Sequence, residues 1–152
     1  QALLADGRIL AVCWAYDFNN KRSLRNRFAF STDRGRSFGP FHESPLHGET
    51  CTPLGLPDGR VVMIYRRTDM KGLWAHLCRF EGERWVGIED LPLWGTEKAA
   101  YSNGSKNTFE HLSTLKFGYP QITQLSDGDL FAVFWCVEDC VSNIRWFRIG
   151  VT

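Results

Sequence analysis

Five cysteines, four histidines and a short run of arginines are the side chains in this 152-residue chain whose chemistry could be recognised without context. Cys136 and Cys140 stand four apart, but no histidine or second cysteine pair lies nearby to complete a tetrahedral zinc site, so no metal is expected. The odd count, with at least three cysteines inside apolar runs, fits reduced, buried thiols packed as small hydrophobes. His42, His47, His76 and His111 are scattered without metal-ligand spacing; His47 is two residues before Glu49 and reads as a rim residue. Lys21, Arg22, Arg25 and Arg27 crowd beside Phe18 and Phe28. Nucleic acid would want such charges spread over a larger positive face, so the cluster reads as a solvated loop and strand. No glycine-rich phosphate loop and no serine or cysteine hydrolase signature is present, and no cofactor is implied.

The totals exclude more than they assign. With 18 basic and 17 acidic side chains the net charge is +1, which gives no electrostatic reason to expect nucleic acid or an anionic membrane as partner. The longest apolar stretch, Leu130 to Val137, is far too short for a membrane-spanning helix. Reduced cysteines favour a cytoplasmic setting, but the chain starts at Gln1 and an upstream targeting signal would not be visible, so localisation is left open. Asn103-Gly104-Ser105 matches the N-glycosylation acceptor pattern.

The elements that must position any site are announced by a repeat. Leu3-Leu4-Ala5-Asp6-Gly7-Arg8-Ile9-Leu10 returns as Leu56-Pro57-Asp58-Gly59-Arg60-Val61-Val62 and as Leu125-Ser126-Asp127-Gly128-Asp129-Leu130-Phe131. Each copy reads as a short strand, an Asp-Gly turn and a longer apolar strand. Asp-Gly suits a two-residue type I′ hairpin, and near-continuous apolar runs imply strands covered on both faces. Asp6, Asp58 and Asp127 stand 52 and 69 residues apart, a spacing near that of a four-stranded propeller blade. The longer interval holds an insertion over 94–116, polar and without strand pattern. Further strands are expected over Leu24–Phe30 and Phe38–Glu43, over Leu73–Phe80 and Trp85–Ile88, and over Asn143–Val151. The expectation is an all-β chain: units at 1–46 and 47–93, the insertion, and an incomplete unit at 117–152. Sandwiches and barrels also use such hairpins.

Between the third and fourth strands of the first unit lies Phe30-Ser31-Thr32-Asp33-Arg34-Gly35-Arg36-Ser37-Phe38. It resembles the Asp-box of the sialidase (BNR repeat) β-propellers, with Ser31, Asp33, Gly35 and Phe38 at the motif positions. Ser and Asp accept backbone N–H bonds, Gly takes a left-handed position, and the aromatic covers the hairpin. Gly82-Glu83-Arg84-Trp85 keeps the last part of a second copy. Gly48-Glu49-Thr50-Cys51, and the stretch from Phe117-Gly118-Tyr119-Pro120 to Arg148, are similar to the middle and C-terminal portions of that family.

The resemblance implies a partial propeller, about three four-stranded antiparallel blades of a six-bladed ring, and a hydrolase acting on a terminal, anionic sugar. In that family a tyrosine is the nucleophile, a glutamate takes its proton, and arginines clamp the sugar carboxylate. Carried over, Glu49 matches the glutamate and Tyr119 the nucleophile. Arg66 or Arg67 matches a clamp arginine, with Arg66 preferred because neighbours on a strand face opposite ways. Arg145 is a further clamp candidate. The family's first arginine and general-acid aspartate come from blades with no counterpart here. The chain alone is therefore expected to be inactive and to expose edges that self-associate. The alternative is a non-catalytic propeller that binds carbohydrate or protein.

Overall fold

The computed structural model describes residues 1–96 and 116–151, and among these the chain is all β, with no helix. Sheet one is β1 (Ala2–Leu3), β2 (Ile9–Asp17), β3 (Arg22–Ser31) and β4 (His42–Glu43). Sheet two is β5 (Gly48–Gly55), β6 (Arg60–Arg67), β7 (Leu73–Glu81) and β8 (Arg84–Trp94). Sheet three is β9 (Phe117–Gln124), β10 (Leu130–Glu138) and β11 (Val141–Ile149). All three are antiparallel, and within each sheet every strand pairs with the next in sequence. Most of the expected insertion, residues 97–115 with Asn103 and His111, lies outside the described residues. Trp94, placed in the insertion by the sequence, is instead the last residue of β8 and packs on the core of sheets two and three.

The Asp-Gly turns are not the two-residue type I′ turns the sequence suggests. Only the glycines are left-handed, Gly7 at φ 85°, Gly59 at 87° and Gly128 at 95°. The N–H of Leu4 donates to the Arg8 carbonyl at 2.8 Å and that of Gly7 to the Leu4 carbonyl at 3.0 Å, with the same pair of bonds at Leu56 and Leu125. This is a three-residue loop closed by a left-handed glycine. The aspartate stays right-handed because its carboxylate is engaged: Asp6 accepts from the Arg8 N–H at 3.0 Å and from Arg8 Nε at 2.7 Å. The two-residue turn with both centres left-handed occurs elsewhere, at Asp139 (φ 49°) and Cys140 (φ 63°) between the paired Glu138 and Val141.

Alternation along β6 explains the packing. Val61, Met63 and Tyr65 join Leu10, Phe28 and Phe30 of sheet one in one core. Val62 and Ile64 join Phe117, Leu130, Ala132 and Phe134 of sheet three in another. Successive residues of a strand face opposite ways, so one continuous apolar run seats sheet two between its neighbours. Each such fully buried side chain contributes about 2 kcal/mol. Phe28 and Phe30 also meet Phe80 at 5.5 and 4.9 Å between ring centres, which carries the first core to the outer strands.

Two expectations about side chains are corrected. Cys78 and Cys136 are buried, but Cys13 and Cys140 are exposed, the first on the outward face of β2 and the second in the hairpin turn. The strand expected over Phe38–Glu43 is reduced to His42–Glu43, because Pro40 has no N–H for the ladder.

Candidate functional site

β5 begins under tight control. The Gly48 N–H donates to Oδ1 of the buried Asn26 at 2.9 Å, which ties sheet two to sheet one, and a Cβ on Gly48 would lie 2.3 Å from the Tyr65 ring. Glu49 then pairs across the ladder with Arg66, and between Glu49 and Thr52 the register shifts. Thr50 sits in that bulge at φ 50°, a conformation that strains a β-branched residue. Its Oγ1 is buried without a hydrogen-bond partner among the described residues. The Cys51 thiol that follows is pushed up to about 12 by burial, which keeps it inert.

Arg66 is the centre of the arrangement. It is 3 % exposed, its Nη2 donates to the Glu49 carboxylate, and its Nη1 donates to the Phe117 carbonyl at 2.8 Å. Its Nε has no partner among the described residues. A buried guanidinium is costly unless paired, and here the pairing joins two strands of sheet two to the first strand of sheet three. The fit extends to Gly118, where a Cβ would stand 2.8 Å from Arg66 Nη1. A second link lies one turn of the pleat away, where Thr52 Oγ1 donates to the Pro120 carbonyl at 2.6 Å.

Tyr119 follows directly. It occupies the register shift of β9 opposite Val133 to Trp135, has φ 52°, and is 70 % exposed. Its hydroxyl makes no hydrogen bond among the described residues. Glu49, Arg66 and the β9 stretch that presents Tyr119 are thus brought to one seam between sheets two and three.

The other two arginines lie elsewhere. Arg67 faces the opposite way from Arg66, holds Asp69 through Nε and Nη2 at 2.9 and 2.6 Å, and lies over the Trp74 ring at 4.8 Å. The bond it donates to Asp69 raises the Arg67 guanidinium above its ordinary value, and the same bond lowers the Asp69 carboxyl. Arg145 is on β11, two strands from β9, where it donates to Glu138 at 2.9 and 2.7 Å and lowers that carboxyl. His47 is half-buried, and its carbonyl accepts from the Thr68 N–H at 3.0 Å.

The stretch from Ser31 to Phe38 forms a bonded turn between β3 and β4. Ser31 Oγ donates to Asp33 Oδ1 at 2.8 Å and accepts the Gly35 N–H at 2.8 Å. Asp33 also accepts the Ser37 N–H at 2.9 Å and the Ser37 hydroxyl at 2.6 Å. The Ser37 hydroxyl, followed by the Ser37 N–H and Ser31, lowers the Asp33 carboxyl to about 2. Arg34 and Gly35 are left-handed (φ 63° and 82°), and Phe38 is 37 % exposed. The box is a structural turn with its bonding capacity spent internally.

Sequence reasoning missed Asn26, Thr50 and the Phe117 carbonyl. The one signal available was Gly118 beside Tyr119: a glycine inside a strand pattern marks close approach of something, here a guanidinium. Among the described residues no group of three or more His, Cys, Asp or Glu is arranged to hold a metal. No protein-family model, no curated protein and no solved structure matches the chain.

Proposed function

We propose that the chain is part of a sialidase-type β-propeller and that the seam carrying Glu49, Arg66 and Tyr119 serves hydrolysis of a terminal anionic sugar. Support for the propeller comes from three antiparallel sheets that follow one another in sequence, pack face to face, and bring β5 against β1 and β9. Support for the site comes from one observation: Arg66 binds both Glu49 and the carbonyl two residues before Tyr119.

In this reading Tyr119 attacks the anomeric carbon as the glycosidic C–O bond breaks and the leaving oxygen takes a proton, Glu49 takes the phenolic proton, Arg66 fixes the Glu49 carboxylate against β9, and water then cleaves the glycosyl–tyrosine bond to return Tyr119. A phenol near its ordinary pKa of about 10 is a weak nucleophile, so the proton acceptor is essential. Transfer requires the two oxygens to come within about 3 Å, directly or through one water. In this reading the acid that protonates the leaving oxygen and the clamps on the sugar carboxylate are supplied by further blades of the ring.

A second reading is favoured by a specific feature. Both terminal nitrogens of Arg66 are already committed, while Tyr119 is exposed and its hydroxyl makes no hydrogen bond among the described residues, as suits an aromatic platform on which a sugar ring stacks without being cleaved. The two are separated by assaying a polypeptide that carries the complete ring on a fluorogenic sialoside. Hydrolysis reduced at least about 100-fold by both Tyr119→Phe and Glu49→Gln supports the catalytic reading. Sugar binding that survives Tyr119→Phe without any turnover supports the platform.

A further inference from the structure

Asn26 holds the connector that delivers Glu49, and it uses every polar arm but one to do so. It lies on β3 in the register shift with β2 and is 0 % exposed. Its carbonyl accepts the Ser44 N–H at 2.8 Å, and its own N–H donates to the Leu46 carbonyl at 2.8 Å. Its side-chain Oδ1 then accepts the Gly48 N–H at 2.9 Å. Alternate residues of an extended chain offer their backbone groups to the same edge, so at positions 44, 46 and 48 the side chain carries on a ladder that the backbone begins. Glu49 is the next residue.

The connector is gripped from the other side as well, where the His47 carbonyl accepts the Thr68 N–H at 3.0 Å. No side chain fits at Gly48, since a Cβ there would lie 2.3 Å from the Tyr65 ring and 2.9 Å from the Arg66 carbonyl. Sheet one supplies one wall and sheet two the other, so the arrangement stands whatever else the ring contains. The amide is a poor choice for stability alone. Its Nδ2 is buried with no hydrogen-bond partner among the described residues. A neutral hydrogen bond contributes no more than an orphaned buried donor costs, so the two ends of the amide offset each other. What the side chain supplies is the location of Gly48, and with it the backbone from which Glu49 springs.

We infer that Asn26 is a positioning residue for the proton acceptor: through Gly48 it sets where the Glu49 carboxylate stands relative to Tyr119. The inference rests on the catalytic reading of Glu49 and adds to it a residue from the preceding sheet, one that touches neither the sugar nor the transferred proton. Arg66 holds the carboxylate at its far end, and Asn26 holds the chain at its root. Misplacing a reacting group by about 1 Å costs on the order of 100-fold in rate, so a single hydrogen bond at this root is enough to matter.

The test uses the polypeptide that carries the complete ring, assayed on the fluorogenic sialoside, with Asn26→Ala and Asn26→Asp. The backbone bonds to Ser44 and Leu46 survive any substitution, so Asn26→Ala cuts only the arm to Gly48 and should fold with its β-sheet circular dichroism retained. Its kcat is expected to fall about 10- to 100-fold while KM stays within about twofold, the pattern of an interaction expressed in the transition state. Asn26→Asp keeps an oxygen for the Gly48 N–H and should recover most of kcat. A folded Asn26→Ala with wild-type kcat would overturn the inference, and so would a loss confined to KM or one that Asn26→Asp fails to repair. Should Asn26→Ala not fold, Asn26→Ser, whose hydroxyl is too short to reach Gly48, is read against the same outcomes. The catalytic reading fails by a different result. A wild type without turnover sinks it and takes this inference with it, whereas strong dependence on Glu49 with indifference to Asn26→Ala removes only the role of Asn26.

Discussion

Thr50 and Tyr119 occupy the same position in two successive repeats, and both are left-handed, at φ 50° and 52°. The interval between them equals that between Asp58 and Asp127, and each sits at a register shift in the first strand of its sheet. Neither residue type adopts this conformation readily, and each costs about 1–2 kcal/mol there. Strain held at one spot in two repeats belongs to the architecture of the seam. It turns the strand just where Glu49 meets Arg66 in one sheet and where Gly118 admits Arg66 in the next.

Thr50→Gly is accordingly expected to stabilise the protein by about 1 kcal/mol. Relief of strain and removal of a buried unbonded hydroxyl outweigh the extra freedom glycine gives the unfolded chain, about 0.5–1 kcal/mol. Urea denaturation reads the change directly. A destabilised Thr50→Gly would mean that the hydroxyl has a partner in solution and that the turn is not strained.

Arg66 makes a different forecast. Arg66→Met leaves Glu49 facing an apolar group in a largely enclosed place and should cost about 3–5 kcal/mol. Glu49→Leu combined with Arg66→Met should recover much of the loss, since no charge is then stranded. Gly118→Ala should cost about 1–3 kcal/mol, because the guanidinium is held from two sides and cannot retreat from a new methyl. Additive losses in the Glu49 and Arg66 cycle would show that the pair is not coupled.

Legibility in the sequence followed the range of the interactions. The Asp-Gly repeats, the β6 run and the Ser31–Phe38 motif are local patterns, and they led to the strands, the sheet divisions and the bonded turn at Ser31 to Ser37. The type of the Asp-Gly turn did not follow, because the dipeptide fits two loop lengths and the Asp6 bond to Arg8 decides between them. Within the site, Glu49 and Arg66 could be paired from strand register, but the bond from Arg66 to the Phe117 carbonyl spans 51 positions and has no signature in side-chain types. Arg145 illustrates the opposite limit. An arginine on a strand reads alike whether it faces a ligand or, as here, a neighbouring Glu138.

The bonded turn at Ser31 to Ser37 should be visible in acid. Asp33 is held at about 2 in the folded chain against an ordinary value of 3.8, so its ionised form is favoured by folding. For a depressed carboxyl the stabilisation is complete above the unfolded value and disappears as pH falls through the folded one. The window is therefore about pH 4 to 2. Asp33→Asn removes this contribution, so the wild type should lose more urea resistance than the variant across that window, and the two should run parallel between pH 5 and 7. Parallel curves throughout would mean that Ser37 and Ser31 do not hold the carboxylate in solution.

His76 supplies a prediction about a proton's location. The ring is 4 % exposed, with Nδ1 2.9 Å from Asp90 Oδ1 and Nε2 3.0 Å from Trp85 Nε1. An indole nitrogen only donates, so Nε2 must accept, and the single ring proton is placed on Nδ1, where it is donated to Asp90. Trp85 in turn packs against Phe28 of sheet one at 5.2 Å between ring centres, so the imidazole positions an aromatic that bridges two sheets. Nitrogen-15 spectra of the imidazole at neutral pH should show the Nδ1-protonated tautomer, the minor form for a free histidine side chain. Trp85→Phe keeps the aromatic contact but strands Nε2, and should cost about 1–3 kcal/mol, the penalty for a buried group left unbonded. Asp90→Asn should cost less than Asp90→Ala, because the amide oxygen can still accept the Nδ1 proton. An Nε2-protonated spectrum would require the Trp85 contact to be absent in solution, and with it this link between the first two sheets.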